Sequence, residues 1–226
     1  MHLHPTAPLA ERVLLPGDPG RALALAQLLL AEPKMFNHNR GLWGYTGIAR
    51  DGEELTIQAT GMGGPSAAIV LHELIALGAR RAMRVGTCGA LLPSLELGDL
   101  VIASAAISAD GASRALGAER RVAADAALTA ALAAATAPGT LAGTVVSVDL
   151  FYGDDAARAS AHEAIAVEME AATLFALGAA AGVPVACILC VSDTFADDGA
   201  RTRIGAEELR ESVERMGSLA LAALAD

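Results

Sequence analysis

The sequence predicts an α/β fold in one domain, with a central, mostly parallel or mixed sheet flanked by helices. Three observations carry this. Short apolar runs rich in Val, Ile and Leu alternate with alanine-rich helical patterns along the chain, the rhythm of strands covered on both faces. At 226 residues, 54% of them hydrophobic, the chain can bury one large core and is short for two. No linker, repeat or low-complexity segment interrupts it, so 1–226 is read as a single domain.

The elements follow in order. RVLLP (12–16) is a continuous apolar strand, stopped by the PGDPG turn cluster, and a helical pattern runs over 20–31. ELTIQAT (54–60) reads as a strand, and the glycines and proline of GMGGP precede a helix over 65–78. RAMRVGT (81–87) and DLVIAS (99–104) are strands, followed by an alanine-rich helix at 123–135. AGTVVSVD (142–149) is β-branched, and 168–181 is helical. VACILCVSD (185–193) is the last strand, before a helix at 206–225 whose exposed face pairs Glu211 with Arg215. Ligands of such sheets bind beyond the C-terminal ends of strands, which is where chemistry is sought.

Composition removes several classes of function. A net charge of −10 argues against nucleic acid, which needs a basic face. It also means that an anionic substrate must be held by a local cationic clamp against the repulsive long-range field. No run reaches the ~18–20 apolar residues of a membrane span. MHLHPTAPLAER lacks a basic start and an apolar stretch, so a soluble, cytoplasmic protein is expected. Cys187 and Cys190 form a CxxC, but in a strand residues three apart point to opposite faces. They are read as core cysteines, and no metal site is expected.

Several strand ends carry groups that need partners. Arg21 follows PGDPG, where free N–H groups, a helix N-terminus and a guanidinium suit a phosphate, although an ordinary βα turn has the same composition. Arg84 sits in an apolar strand with Gly86, Thr87 and Gly89 after it; it must find an anion, either a ligand or a structural partner. Asp193 closes the last strand beside Ser192, the place of a catalytic acid or of a helix cap. Glu168 and Glu170 lie in AIAVEMEAATLFALGAA, surroundings in which an uncompensated charge costs several kcal/mol.

Together LLPGDPGRA, RGLWGYTG, TGMGGPSAAI, RVGTCGA, DLFY, VEMEAATLF and VSD resemble the nucleoside phosphorylase-I family, most closely its hexameric bacterial purine nucleoside phosphorylases. The likeness spans residues 12–195. It implies phosphorolysis of purine nucleosides to free base and pentose 1-phosphate, with phosphate as co-substrate and no cofactor. Gly17, Arg21, Arg84 and Thr87 look like the family's phosphate ligands, joined by Arg40 from a neighbouring subunit. Glu170 resembles the carboxylate that grips the ribose 2′- and 3′-hydroxyls, with Met169 packed on the sugar and Glu168 nearby or paired with an arginine. Phe151 and Val167 match the walls around the base, with Cys88, Gly89 and Ser192 beside it. Asp193 resembles the acid that protonates purine N7, assisted by Arg201, Arg203 or Arg210. A histidine from the neighbour, His2 or else His4, binds the ribose 5′-hydroxyl, so a homohexamer built as a trimer of dimers is implied.

Rival readings are uridine phosphorylase, the nucleosidases that cleave methylthioadenosine or adenosylhomocysteine with water, and a silent nucleoside-binding protein. GDDAARASAHEA lacks the glutamine that pyrimidine recognition uses, while DGAS (110–113) resembles that branch. Paired arginine clamps argue against hydrolysis, and an intact Asp193 against mere binding. Asp197 and Asp198 mark the last loop as a lid.

Overall fold

The computed structural model describes residues 1–137, 140–152, 163–196 and 200–225. Its strands are β1 (Arg12–Leu15), β2 (Leu30–Asn37), β3 (Gly44–Ala49), β4 (Glu54–Gln58), β5 (Arg81–Ala90), β6 (Leu100–Ser108), β7 (Arg121–Ala123), β8 (Leu141–Ser147), β9 (Ala166–Glu168), β10 (Val185–Phe195) and β11 (Arg201–Arg203). The described α-helices are α1 (Pro19–Leu29), α2 (Gly64–Leu77), α3 (Gly111–Ala115), α4 (Ala126–Ala135), α5 (Ala171–Ala181) and α6 (Ala206–Ala223).

All the strands join one mixed sheet, as the sequence predicts. Its centre is parallel: β1 lies between β4 and β5, and β5 pairs in parallel with β10. Because β5 also pairs with β9, the path β5–β10–β6–β8–β9 closes on itself as a small barrel. Closure removes two sheet edges that would otherwise need cover.

Period-2 alternation sorts the core. Val13, Leu15, Cys187 and Leu189 face one cluster with Leu71 and Leu74 of α2 and Phe175 of α5. Leu14, Met83, Ile188 and Cys190 face a second cluster with Leu25 of α1, Leu132 of α4 and Met216 of α6. Cys187 and Cys190 therefore lie on opposite faces, free and buried.

Four places depart from the sequence reading. The helix expected over 20–31 ends at Leu29, where Leu30 turns extended and the chain continues as β2. Pro33 disfavours helix at the residue before it, and the Pro33 and Lys34 of this exposed outer strand blunt its edge. The helix expected from 123 starts at Ala126, because Asp125 caps it by accepting the Leu128 N–H at 2.9 Å. The helix expected from 168 starts at Ala171, preceded by β9. The strands β2, β3, β7, β9 and β11 and the short α3 were not legible in the pattern. No described helix is long and apolar enough to cross a membrane.

Candidate functional site

β5 organises the site. At its start the register sets Leu15 of β1 opposite Arg84; at its end Gly89 lies between Asp193 of β10 and Val167 of β9. Residues from three separated segments are thus brought to one strand.

Arg84 is 4% exposed. Its Nη2 donates to Glu170 Oε2, and its Nε stands 3.5 Å from Glu168 Oε2. Burial lowers its affinity for the proton, but the two carboxylates outweigh that and keep the guanidinium charged. Gly17 packs beside it: a Cβ there would lie 3.9 Å from Arg84 Nη1. Gly86 is closer still: its Cβ would meet Arg84 Cζ at 2.9 Å, so a side chain there would displace the guanidinium.

Arg21 enters α1 after Asp18, whose carboxylate accepts the Arg21 N–H at 2.8 Å and so caps the helix, with Pro19 in its first turn. Burial and then the like charge of Arg84 push Arg21 below its ordinary value, with Glu170 opposing. The two guanidinium groups therefore share one field. Arg21 Nη1 and Arg84 Nη1 are buried and have no hydrogen-bond partner among the described residues. Buried donors so left carry a desolvation cost of about 1–3 kcal/mol each, more for charged groups. Thr87 is half-buried on the same strand.

The two glutamates divide their work. Glu168 ends β9 with its side chain fully buried. It accepts from Ser147 Oγ, from the Glu170 N–H at 2.8 Å and from the Ala171 N–H at 2.9 Å. It thereby caps α5 and sets where that helix begins. Burial raises its pKa, Arg84 opposes this, and the neighbouring Glu170 carboxylate adds to the rise. Glu170 Oε1 accepts the Gly63 N–H at 2.6 Å. Both carboxylates meet the same arginine, as their spacing on an extended entry to the helix suggests. Glu168 accepts from these three donors and has Arg84 Nε beside it, the pairing with an arginine that the sequence left open for this residue. Met169, between them, is half-buried.

At the other end of β5 the pairing of β10 shifts register between Val191 and Asp193, leaving Ser192 as the extra residue of a bulge. Without it the Asp193 side chain would point to the opposite face. Asp193 accepts from Ser192 Oγ at 2.7 Å and from Arg201 Nε at 2.7 Å, with Arg203 Nε at 3.3 Å. Burial pushes the Asp193 carboxyl up, but the bonds from Arg201 and Ser192 outweigh it and hold it below its usual range. Of the two roles the sequence left open for Asp193, a helix cap does not fit, for it lies within β10 and β11 pairs it with Arg203. Of the three arginines left open, Arg201 and Arg203 reach Asp193, whereas Arg210 pairs with Glu207 and Glu214 on α6.

Arg201 stacks on the Phe151 ring, 4.1 Å from its centroid. Phe195 lies over Gly89, where a Cβ would meet the ring at 2.8 Å and Val167 Cγ1 at 3.2 Å. Phe195 and Gly63 were not singled out from the sequence. The glycines of TGMGGP were the signal for Gly63, and Phe195 carried none. Cys88, buried beside Gly89, is pushed well above its ordinary value by burial and is no nucleophile at neutral pH.

His2 is held on Glu73 of α2, and Arg40 occupies a turn with left-handed backbone, φ 58°. His4 is exposed, its N–H bound to Asn37 Oδ1 at 2.9 Å. Most of GDDAARASAHEA (153–164), with Asp197 and Asp198, lies outside the described residues.

Comparison with known proteins gives one consistent result. A family model described as the phosphorylase superfamily matches residues 11–225. The chain is 38% identical over 223 residues to a protein of Caldanaerobacter subterraneus subsp. tengcongensis named purine nucleoside phosphorylase DeoD-type, covering 94% of each chain. Proteins of the same name from Oceanobacillus iheyensis (35% identity, 82% of this chain and 83% of the relative) and Geobacillus kaustophilus (36%, 83% of each) are similar.

Proposed function

Since the chain belongs to the phosphorylase superfamily, we propose that it cleaves purine ribo- and deoxyribonucleosides with inorganic phosphate, releasing the base and pentose 1-phosphate. The observation that carries this is the pair of orphaned buried donors, Arg21 Nη1 and Arg84 Nη1, beside a carboxylate that already holds Arg84. The names of the relatives favour purines over uridine. Paired cationic donors suit phosphate as the attacking group rather than water.

In this reading Arg21, Arg84, the Gly17 backbone and Thr87 hold the phosphate, and Arg40 of a neighbouring copy completes its charge balance. Glu170 accepts hydrogen bonds from the sugar diol and orients C1′ toward the anion. Fixing a nucleophile against its target removes much of the entropic barrier. As the glycosidic bond lengthens, positive charge grows on the sugar, and the bound phosphate stabilises it. No covalent intermediate with the chain and no cofactor is needed.

The departing purine anion needs a proton or strong hydrogen bond at N7, which we assign to Asp193. Paired with Arg201 it is ionised, so it must take up a proton before it can donate one. A purine seated against Gly89, Val167, Phe151 and Phe195 would strip water from Asp193 and raise its pKa. Arg201 then acts as the partner of the carboxylate once the proton has left. Oligomers follow from the assignment of His2 and Arg40 to a neighbour's pocket; a hexamer in the cytoplasm is the form we propose.

Inosine, adenosine and uridine, each incubated with and without phosphate, test the reading. Base release and pentose 1-phosphate from the purines, dependent on phosphate, are expected. Base release without phosphate would make the protein a hydrolase, and turnover of uridine alone would move it to the pyrimidine branch.

A further inference from the structure

Glu73 lies near the C-terminal end of α2, 9% exposed and remote in sequence from every group assigned above. Its carboxylate gathers the start of the chain. Oε1 and Oε2 accept the His2 N–H at 2.7 and 2.8 Å, Oε2 accepts the Leu3 N–H at 2.7 Å, and Oε1 lies 3.0 Å from His2 Nδ1. Leu3 is 1% exposed and pegs the segment into the core.

The same unit includes the turn that carries Arg40. Asn39 Nδ2 donates to the His2 carbonyl at 2.7 Å, and Asn37 Oδ1 accepts the His4 N–H at 2.9 Å. Terminal segments are ordinarily loose unless tied down. Tying this one costs conformational entropy, and an anchor for Leu3 alone would not require a bond to the imidazole.

Burial pushes the Glu73 carboxyl up, but the N–H groups of Leu3 and His2 and the His2 ring outweigh it and hold it at about 2. An ionised carboxylate only accepts, so His2 Nδ1 must carry the hydrogen. In the neutral ring that fixes both the rotation and the tautomer, and leaves Nε2 as an acceptor on a side chain that is 42% exposed.

We propose that Glu73 is a positioning residue for catalysis in the adjoining protomer: it presents His2 Nε2 as a fixed acceptor for the 5′-hydroxyl of the nucleoside bound there. The proposal rests on the phosphorolysis reading above, and it extends the site to a residue on α2 that touches no substrate.

The test is a double-mutant cycle read by substrate preference. For wild type, Glu73→Gln, His2→Ala and the double variant, kcat/KM is measured for inosine and for 5′-deoxyinosine, with assembly verified. Glu73→Gln should cut the preference for inosine about tenfold, as loss of a ligand's orienting partner commonly does. His2→Ala should cut it at least as far, and the double variant no further than His2→Ala. If Glu73→Gln slows both substrates equally, or its effect multiplies fully with that of His2→Ala, Glu73 only anchors the terminus and the proposal falls. A wild-type protein that cleaves neither substrate with phosphate would overturn the phosphorolysis reading itself, and the proposal with it. Should the Gln chain fail to assemble, nitrogen NMR of ¹⁵N-histidine-labelled wild type, assigned with His2→Ala, decides. A single Nδ1-protonated ring at His2 is expected, and a tautomer mixture or an Nε2-protonated ring would overturn the proposal.

Discussion

Replacing Arg84 with Gln should damage folding as well as function, and its cost should depend on pH. The guanidinium is 4% exposed and is the cation shared by Glu168 and Glu170, both also 4% exposed. Breaking a buried ion pair by removing one partner costs about 3–5 kcal/mol. For a chain of this size each kcal/mol lowers the melting temperature by roughly 2–4 °C, so a fall of about 6–20 °C at pH ~8 is expected. The sign with pH follows from the carboxyls. With Arg84 gone the folded pKa of Glu168, already raised by burial, rises further above its unfolded value, so the folded state binds a proton that the unfolded state does not. That contribution to stability is present in full below the unfolded carboxylate pKa and is lost as pH rises toward the folded value. Thermal unfolding at pH ~5 and pH ~8, at one protein concentration, measures this, and the deficit against wild type should be larger at the higher pH. A deficit below about 1 kcal/mol, or one equal at both pH values, would refute the view that Arg84 holds two buried charges.

Four other outcomes are expected. Asp193→Asn keeps the fold and loses about 10²–10⁴-fold in kcat on purine nucleosides, read by base release. Gly86→Ala sets a methyl group 2.9 Å from Arg84 Cζ and from Leu189 Cδ2, so it should displace the guanidinium and raise the KM for phosphate about tenfold, measured by varying phosphate at saturating nucleoside. Sulfate, which does not titrate near neutrality, should bind more weakly as pH rises from about 6 to about 8. Burial and Glu170 raise the pKa of Glu168, which therefore gains its charge in that direction and opposes an anion at Arg84; calorimetry reads the change. Mixed oligomers of Arg40→Ala and Asp193→Ala chains should regain activity that neither has alone, because some pockets then draw Arg40 and Asp193 from intact copies; verified mixed assemblies without activity would remove Arg40 from the shared site.

The parallel centre of the sheet was legible because β1, β5 and β10 are buried on both faces and read as continuous apolar runs. β2 was not, because it is an exposed outer strand whose pattern, LAEPKMFN, follows neither period. Arg84 and Asp193 stood out for one physical reason: charges in apolar runs demand partners. Their actual partners depended on features without a local signature. The bulge at Ser192 aims Asp193, and the β10–β11 hairpin brings Arg201 to it across eight residues. Glu168 stayed open between ligand and structural partner for a related reason, since spacing alone does not show which of the two carboxylates meets the backbone donors. Only the backbone N–H groups of Glu170 and Ala171 reveal which of them is a cap. Glu73 gave no signal at all, because its partners lie about seventy residues away.

The claim on which the rest depends is that the anion position, the sugar-binding carboxylate and the proton donor serve one substrate pair. A crystal structure with a purine nucleoside and sulfate tests it most directly. The account predicts sulfate bridging Arg21 and Arg84 beside C1′, the sugar hydroxyls on Glu170, and purine N7 facing Asp193. Sulfate and nucleoside in separate places, or a base turned away from Asp193, would contradict it.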